Sequence, residues 1–196
     1  MINREEFDNY CKGKTIAIIG NSRSALELPF GEDIDKHDIV VRMNRGVPTE
    51  ERKKFIGTKT DLWSCSLNNH FQKKYKNKFP DRKYTILPSA KRDPYHEDRW
   101  IPELFDETYW FGPKYYKHVT NQLRYDRPST GCLTCYYFLT RIDYKSINVY
   151  GMDFFQKPQF DTKRNKATTF CHSPKHEKRL LTRLFKESEN VEWVNP

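Results

Sequence analysis

The sequence lacks any apolar run approaching the roughly 20 residues that a membrane-spanning helix needs. Residues 1–6 lack the apolar core of a signal peptide. The chain also contains no internal repeat, no low-complexity tract and no clear linker. We therefore predict a soluble, cytoplasmic protein without a membrane anchor, with residues 1–196 forming a single domain large enough to bury its own core.

Cysteine is scarce and unpaired. The five residues, Cys11, Cys65, Cys132, Cys135 and Cys171, show neither the even spacing of a disulfide framework nor the two pairs of a structural zinc site. Cys132 and Cys135 fall inside a predicted helix and have no second pair. We predict buried free thiols in a reducing compartment, and no metal site.

The common glycine-rich signatures of nucleotide sites are absent. The chain has no G-x-G-x-x-G and no G-K-[ST], which excludes a dinucleotide fingerprint and a P-loop. It also lacks the RNP, KH and helix-turn-helix signatures of nucleic-acid-binding domains.

Positive charge and aromatic residues are abundant. Thirty-five Lys and Arg against 26 Asp and Glu give a formal net charge of +9, and aromatic residues make up 15% of the chain. This charge favours an anionic partner, which could be nucleic acid, an acidic membrane surface, or a phosphorylated or carboxylated small molecule. Charge does not choose among them, because much of it, as in residues 73–78, is typical of a solvated helix face.

Several segments predict strands of a parallel sheet. Residues 14–20 are continuously apolar, as in strands covered on both faces. Residues 38–44, 57–65 and 84–88 predict three further strands, residues 146–150 another that ends at Gly151, and residues 190–194 a last one. We predict a single Rossmann-like α/β fold with a mostly parallel sheet and flanking helices.

Helix signals separate these strands. Pro128, Ser129 and Thr130 fit the start of a buried helix through residue 139. Shorter helices are predicted after Gly20 and over 50–55 and 69–78, and an amphipathic helix follows the segment 170–177 and runs through residue 185. Residues 89–127, rich in Pro, Trp and Tyr, predict short helices and a long loop that acts as a lid or acceptor-binding insertion.

Polar and small residues stand where three predicted strands end. Asn21 follows the first strand, Asn44 ends the second, and Gly151 follows the strand after the central helix. In open α/β sheets, ligands bind outside the carboxyl ends of the strands, so these residues should converge on one rim. The helix starting near Ser129 offers free N–H groups to an anion there. An ordinary buried helix-strand unit is the alternative interpretation of these residues.

The ordered motifs resemble those of the sialyltransferases. Residues 16–22, 34–46 and 56–61 resemble the large sialylmotif, and residues 128–151 the small one. Residues 172–177, a His and a Glu with four residues between them, are similar to the very small motif. Residues 151–155 and 171–173 also resemble the bacterial lipooligosaccharide sialyltransferases.

This resemblance implies a GT-A-like fold and an inverting, metal-independent transfer of a 2-keto-3-deoxy acid sugar from its CMP ester to a glycan hydroxyl. By position in the motifs, His172 would be the general base, with His176 as the fallback. The residues that would bind the donor are Asn21, Ser22, Asn44, Tyr125, Ser129, Thr130, Gly131 and Gly151. No cofactor is implied beyond the CMP-sugar substrate.

The chain departs from the family pattern in two places. The two sialylmotif cysteines fall here at Ile16 and Tyr144, which removes the family's disulfide. The third motif is not recognisable in residues 156–169, where Arg164 or Lys166 would substitute for its donor-phosphate contact.

The donor, sialic acid or Kdo, stays open, because both sugars share the CMP ester, the carboxylate and the deoxy carbon. The expected partners are a CMP-sugar and a glycan or glycolipid acceptor, with peripheral membrane contact through a lipid-linked acceptor and no nucleic acid. Two competing hypotheses are a basic nucleic-acid-binding α/β domain and a homologue that binds nucleotide without turnover.

Overall fold

The computed structural model describes residues 1–66, 80–88, 107–124, 127–160 and 172–194. Its strands are β1 (Thr15–Ile19), β2 (Ile39–Met43), β3 (Leu62–Ser64), β4 (Tyr84–Leu87), β5 (Thr108–Trp110), β6 (Ser146–Tyr150) and β7 (Val191–Val194). Its α-helices are α1 (Arg4–Cys11), α2 (Gly31–Asp35), α3 (Lys53–Ile56), α4 (Gly112–Gln122), α5 (Thr130–Arg141) and α6 (Pro174–Glu187), and a one-turn 3-10 helix spans Arg23–Leu26.

The seven strands form one parallel sheet in the order β5-β4-β3-β2-β1-β6-β7. The chain moves outward from β1 to β5 and then returns to place β6 on the other side of β1, where Ile16 pairs with Ile147. The predicted Rossmann-like α/β fold is therefore confirmed. The reversal between β1 and β6 opens a crevice at their carboxyl ends, the usual ligand position in such sheets.

Alternate residues of β1 explain why it is apolar throughout. Ile16 and Ile18 belong to a core shared with α1, α4, α5 and α6. Ala17 and Ile19 belong to a second core on the opposite face, shared with α2 and α3. A central parallel strand that is buried on both faces usually has a nearly continuous run of hydrophobic residues.

In the described part of residues 89–127 a helix is present, as predicted, and it is preceded by an edge strand that was not predicted. Residues 108–110 form the edge strand β5, and residues 112–122 form α4, with Pro113 in its first turn. Three residues are too few for a strand period to emerge from the sequence. Residues 89–106, 125 and 126, together with the predicted helix over 69–78, lie outside the described residues.

The N-terminal helix α1 was also missed. Asn3 caps it, because its Oδ1 accepts a hydrogen bond of 2.9 Å from the backbone N–H of Glu6. An Asn followed by acidic residues in the first turn is a helix-start signal, and it was available in the sequence. Phe7 packs from α1 into the core and stacks on Tyr109 of β5 at 4.3 Å between ring centroids.

Candidate functional site

A cavity of about 510 Å³ opens at the carboxyl ends of β1, β2 and β6. Its volume lies within the range of about 300–1,000 Å³ that is usual for small-molecule sites. Every predicted site residue among the described ones lines it: Asn21, Ser22, Asn44, Ser129, Thr130, Gly131, Gly151 and His172. Tyr125 lies outside the described residues.

Two glycines let the chain pass closely where β1 and β6 end. A Cβ on Gly20 would collide with the carbonyl oxygen of Gly151. Gly151 has a φ of 61°, and a Cβ there would lie 2.6 Å from the Cβ of Ala25. Both positions therefore require glycine, and together they form the part of the cavity wall that lies against the sheet.

Asn21 and Asn44 are fixed by backbone contacts. Asn21 Nδ2 donates to the carbonyl of Met43 at 2.9 Å, which ties the end of β1 to the end of β2. Asn44 has a φ of 47°, and its Oδ1 accepts from the N–H of Ser66 at 3.0 Å. No acceptor within the described ranges engages the Nδ2 group of Asn44, which can therefore donate to a ligand. An acceptor oxygen of a nucleotide would suit this donor.

The N-terminus of α5 supplies two backbone donors to the cavity. Ser129 caps the helix, since its Oγ accepts from the N–H of Cys132 at 3.0 Å. The N–H groups of Thr130 and Gly131 have no hydrogen-bond acceptor within the described part of the chain. Both residues line the cavity, so the positive end of the helix dipole and two free N–H groups are available to an anion.

The Ser129 hydroxyl is already engaged. Ser129 donates from its backbone N–H and from its Oγ to the two carboxylate oxygens of Glu177, each at 2.7 Å. Glu177 is only 1% exposed and lies in the first turn of α6. Thus the Glu of the very small motif joins the starts of α5 and α6, a role that the sequence did not predict.

Ser22 is engaged in the same way. It is buried, its Oγ donates to Asp153 Oδ2 at 2.6 Å, and it accepts from the N–H of Ser24 at 3.1 Å. Ser22 therefore connects the turn after β1 to the turn after β6, and its hydroxyl is engaged in these contacts within the protein.

His172 lies at the cavity wall just before α6, half-buried. Its Nδ1 is 2.9 Å from the carbonyl oxygen of Arg127. A carbonyl oxygen only accepts, so the neutral ring carries its proton on Nδ1. Its Nε2 lone pair has no hydrogen-bond partner in the part of the chain that the structure describes. Burial is the main reason that the pKa of His172 is lowered from 6.5; the nearby Arg127 charge also lowers the pKa, and the hydrogen bond to the Arg127 carbonyl opposes the change. Burial thus favours the neutral ring, in which one nitrogen can accept a proton.

The turn after β6 carries an unusual backbone. Phe154 and Phe155 have φ values of 54° and 65°, in the left-handed region that costs a non-glycine residue about 1–2 kcal/mol. Asp153 holds this turn with its buried carboxylate, which accepts from the N–H of Phe155 at 3.0 Å and of Lys157 at 2.7 Å. The Phe155 ring lies parallel to that of His172, 4° apart in plane and 6.1 Å between centroids.

Sequence reasoning missed several residues of the cavity. Tyr116 of α4 and Arg127 line it. Burial is the largest cause of the raised pKa of Tyr116, so its hydroxyl stays protonated and can donate. Asp153 and Phe155 were quoted only as part of a motif. The Tyr-rich composition of residues 89–127 was the one available signal for Tyr116.

The described cysteines are free and buried, as predicted: Cys11, Cys65, Cys132 and Cys135. Cys171 lies outside the described residues. Within the five described ranges, no group of three or more His, Cys, Asp or Glu side chains is arranged to hold a metal ion. The helices of these ranges include none that is both long and apolar enough to cross a bilayer.

Residues 3–105, just over half of the chain, match the family model described as glycosyltransferase family 29 (sialyltransferase). A chicken (Gallus gallus) relative, CMP-N-acetylneuraminate-beta-galactosamide-alpha-2,3-sialyltransferase 1, is 28% identical over 162 residues, which cover 69% of this chain and 43% of the relative. An Arabidopsis thaliana relative, beta-1,6-galactosyltransferase GALT29A, is 44% identical over 46 residues, 24% of this chain and 11% of the relative. The chain thus spans less than half the length of these relatives.

Two solved structures share the fold. A mammalian sialyltransferase in complex with Gal-beta-1-3GalNAc-ortho-nitrophenol superposes with a TM-score of 0.61 at 21% identity, over 94% of this chain and 70% of that one. The sialyltransferase CstII of Campylobacter jejuni, in complex with the substrate analogue cytidine 5'-monophosphate, gives a TM-score of 0.62 at 18% identity, over 94% and 81%.

Proposed function

Because the chain belongs to glycosyltransferase family 29, the sialyltransferases, we propose that it transfers a 2-keto-3-deoxy acid sugar from its CMP ester to a glycan hydroxyl, with inversion. The observation that carries this proposal is that one cavity combines two free N–H groups at the start of α5 with a neutral His172 whose Nε2 is available. The two N–H groups suit a leaving phosphate, and the Nε2 of His172 suits an attacking hydroxyl.

The donor's nucleotide end would occupy the rim of the sheet. Asn44 Nδ2 and Asn21 would hold the cytidine monophosphate, and Gly151 would let it lie against the backbone. The phosphate or carboxylate would be bound by the N–H groups of Thr130 and Gly131, since a helix N-terminus stabilises anions. Ser22 and Ser129 would act by supporting these contacts, because their hydroxyls are bound to carboxylates. Tyr125 remains a proposed donor contact by its position in the motif.

His172 would act as the general base. The anomeric carbon of a 2-keto acid sugar carries no hydrogen and ionises toward an oxocarbenium ion as its bond to the phosphate oxygen breaks and CMP leaves. The acceptor oxygen forms the new bond to this carbon, so its hydroxyl must give up its proton to a base. A neutral imidazole with a free Nε2 suits this step, and such catalysis is typically worth roughly 10²–10⁴ in rate. We propose no metal and no cofactor besides the donor, because the N–H groups of α5 would stabilise the leaving phosphate.

The acceptor would be a glycan or a glycolipid, bound from the side of residues 89–127 as part of one catalytic domain over 1–196. Exposed cations on the outer surface of α6, at Lys175, Lys178 and Arg179, would favour an anionic acceptor or an acidic membrane surface around a lipid-linked one. Within the family, one relative is named as a galactosyltransferase, so the donor has to be tested directly.

Calorimetric titration with CMP and AMP tests the proposal. We expect binding of CMP and much weaker binding of AMP. Absent CMP binding, or equal affinity for both nucleotides, would contradict it, and salt-dependent oligonucleotide binding without competition from CMP would favour the nucleic-acid alternative.

Release of CMP is then measured from CMP-sialic acid and CMP-Kdo, with and without candidate glycans. We expect acceptor-dependent release from one of the two donors. Tight CMP binding with no release from either donor would identify a nucleotide-binding homologue without turnover.

A further inference from the structure

We propose that Phe155, held in a left-handed turn by Asp153, is a positioning residue that packs against His172 and fixes its ring for proton transfer. This inference rests on the proposed function, because it assigns a support to the proposed base. It concerns the turn after β6.

The backbone of this turn is strained. Phe154 and Phe155 both have positive φ values, as do the two central residues of a type I′ turn, where Asn-Gly is the usual pair. The turn closes with the N–H of Gln156 donating to the carbonyl of Asp153 at 3.4 Å. A glycine at either position would remove the strain. Side chains that stay in such positions are associated with functional sites.

The two aromatic rings of this turn have different surroundings. Phe154 is 5% exposed and packs edge-on against Trp193 of β7, at 5.3 Å between centroids, so its ring belongs to the core. Phe155 is half-buried and lines the cavity, with its ring parallel to that of His172. Packing in the core accounts for Phe154, whereas Phe155 contributes its ring to the site.

Three hydrogen bonds to Asp153 hold the turn. The Asp153 carboxylate is 5% exposed and accepts from three donors, the Ser22 hydroxyl and the N–H groups of Phe155 and Lys157. Ser22 follows β1 and Asp153 follows β6, so the strands that border the crevice also fix the turn. Phe155 thereby has a defined position relative to the nucleotide end of the cavity.

His172 is then restrained by two contacts. The Arg127 carbonyl fixes the rotation of its ring and its tautomer, and Phe155 packs parallel to its face. A ring beside the imidazole would also shield it from water, and burial is the main cause of the lowered pKa of His172. The charged and titratable groups that share the cavity with it are Tyr116 of α4, Arg127 before α5, Glu177 of α6, and Asp153 and Lys157 of the turn.

The experiment compares Phe155→Gly, Phe155→Leu and Phe155→Tyr with the wild type. The pKa of His172 is measured by NMR titration of its ring C–H signal, assigned by its loss in His172→Ala. We expect the pKa to rise toward 6.5 in the Gly and Leu variants, with kcat lower by about tenfold and the KM for the donor changed by less than about twofold. Phe155→Tyr keeps an aromatic ring and should leave the pKa of His172 and kcat close to the wild-type values.

The glycine variant separates positioning from folding, because it relieves the positive φ while removing the ring. We expect the glycine variant to keep the thermal stability of the wild type. If Phe155 had only a structural role, the pKa of His172 and the pH profile of the variants would stay as in the wild type. That unchanged result overturns the inference, and Phe155→Leu decides it if the glycine variant does not fold. If the wild type turns over no donor, the proposed function fails, while the titration of His172 still decides whether Phe155 controls its ring.

Discussion

Glu177 accepts two hydrogen bonds of 2.7 Å from Ser129, one from the backbone N–H and one from the hydroxyl, across 48 residues of sequence. The contact fixes the start of α5, whose free N–H groups face the cavity, to the start of α6, which His172 precedes by two residues. It therefore couples the proposed phosphate end of the site to the proposed base.

Replacing Glu177 should destabilise the fold. In Glu177→Ala the buried Ser129 N–H and hydroxyl lose a charged acceptor, and a hydrogen bond to a charged group usually contributes about 1.5–3 kcal/mol. We expect the free energy of unfolding, measured in urea, to fall by at least that amount. Glu187→Ala is the matched control on the same helix, because its 3.8 Å pair with Arg183 is exposed and worth at most about 0.5 kcal/mol. Equal losses in the two variants would contradict the assigned role of Glu177.

Much of the site was predictable because it is built from the ends of strands. The apolar runs before Asn21 and Asn44 and the Pro-Ser-Thr-Gly start of α5 each carry a local signal, and parallel strands bring their carboxyl ends to one edge. The contacts of Ser129 with Glu177 and of Ser22 with Asp153 span 48 and 131 residues, so no local pattern indicates them.

The turn at Phe154 and Phe155 was hidden for a different reason. Two aromatic residues carry no turn signal of their own, and the turn is held by Asp153, which accepts from the N–H of Phe155 and from the hydroxyl of Ser22, 131 residues away. Likewise, β5 is three residues long and is defined by its pairing with β4, not by its own periodicity.

Gly151→Ala should cost more stability than Gly13→Ala. Both glycines have positive φ values, 61° and 66°, so each substitution pays about 1–2 kcal/mol for a left-handed alanine. At Gly13 a new Cβ meets no atom within 4 Å, whereas at Gly151 it lies 2.6 Å from the Ala25 Cβ. Overpacking usually adds about 1–3 kcal/mol. The comparison is made by urea unfolding.

CMP titration of the same two variants adds a functional readout. Only Gly151→Ala should weaken nucleotide binding, since Gly151 lines the cavity and Gly13 does not. Similar stability losses in the two variants, or unchanged CMP affinity in Gly151→Ala, would show that the close approach of Gly151 to Ala25 is not required.

His172→Ala should lower kcat by roughly 10²–10⁴ while CMP affinity stays within a few-fold, because the base is used in the chemical step and not in nucleotide binding. His176→Ala is the matched control. His176 lies in the first turn of α6, four residues after His172, and does not line the cavity. Activity retained within a few-fold in His172→Ala, together with a large loss in His176→Ala, would transfer the base role to His176.

The pH dependence of kcat follows from the state of His172. Below its pKa the ring carries a second proton on Nε2 and cannot accept one from the acceptor hydroxyl, so the rate should rise with pH and level off once the ring is neutral. Burial lowers this pKa from 6.5, so the midpoint of the rise should fall below 6.5 and the enzyme should be close to its maximal rate at pH 7. Initial rates at saturating substrates, from about pH 5 to about pH 8, measure the midpoint in the range where histidines titrate. His172→Ala should abolish this limb and leave a low residual rate, and the persistence of the same limb in that variant would assign the titration to another group.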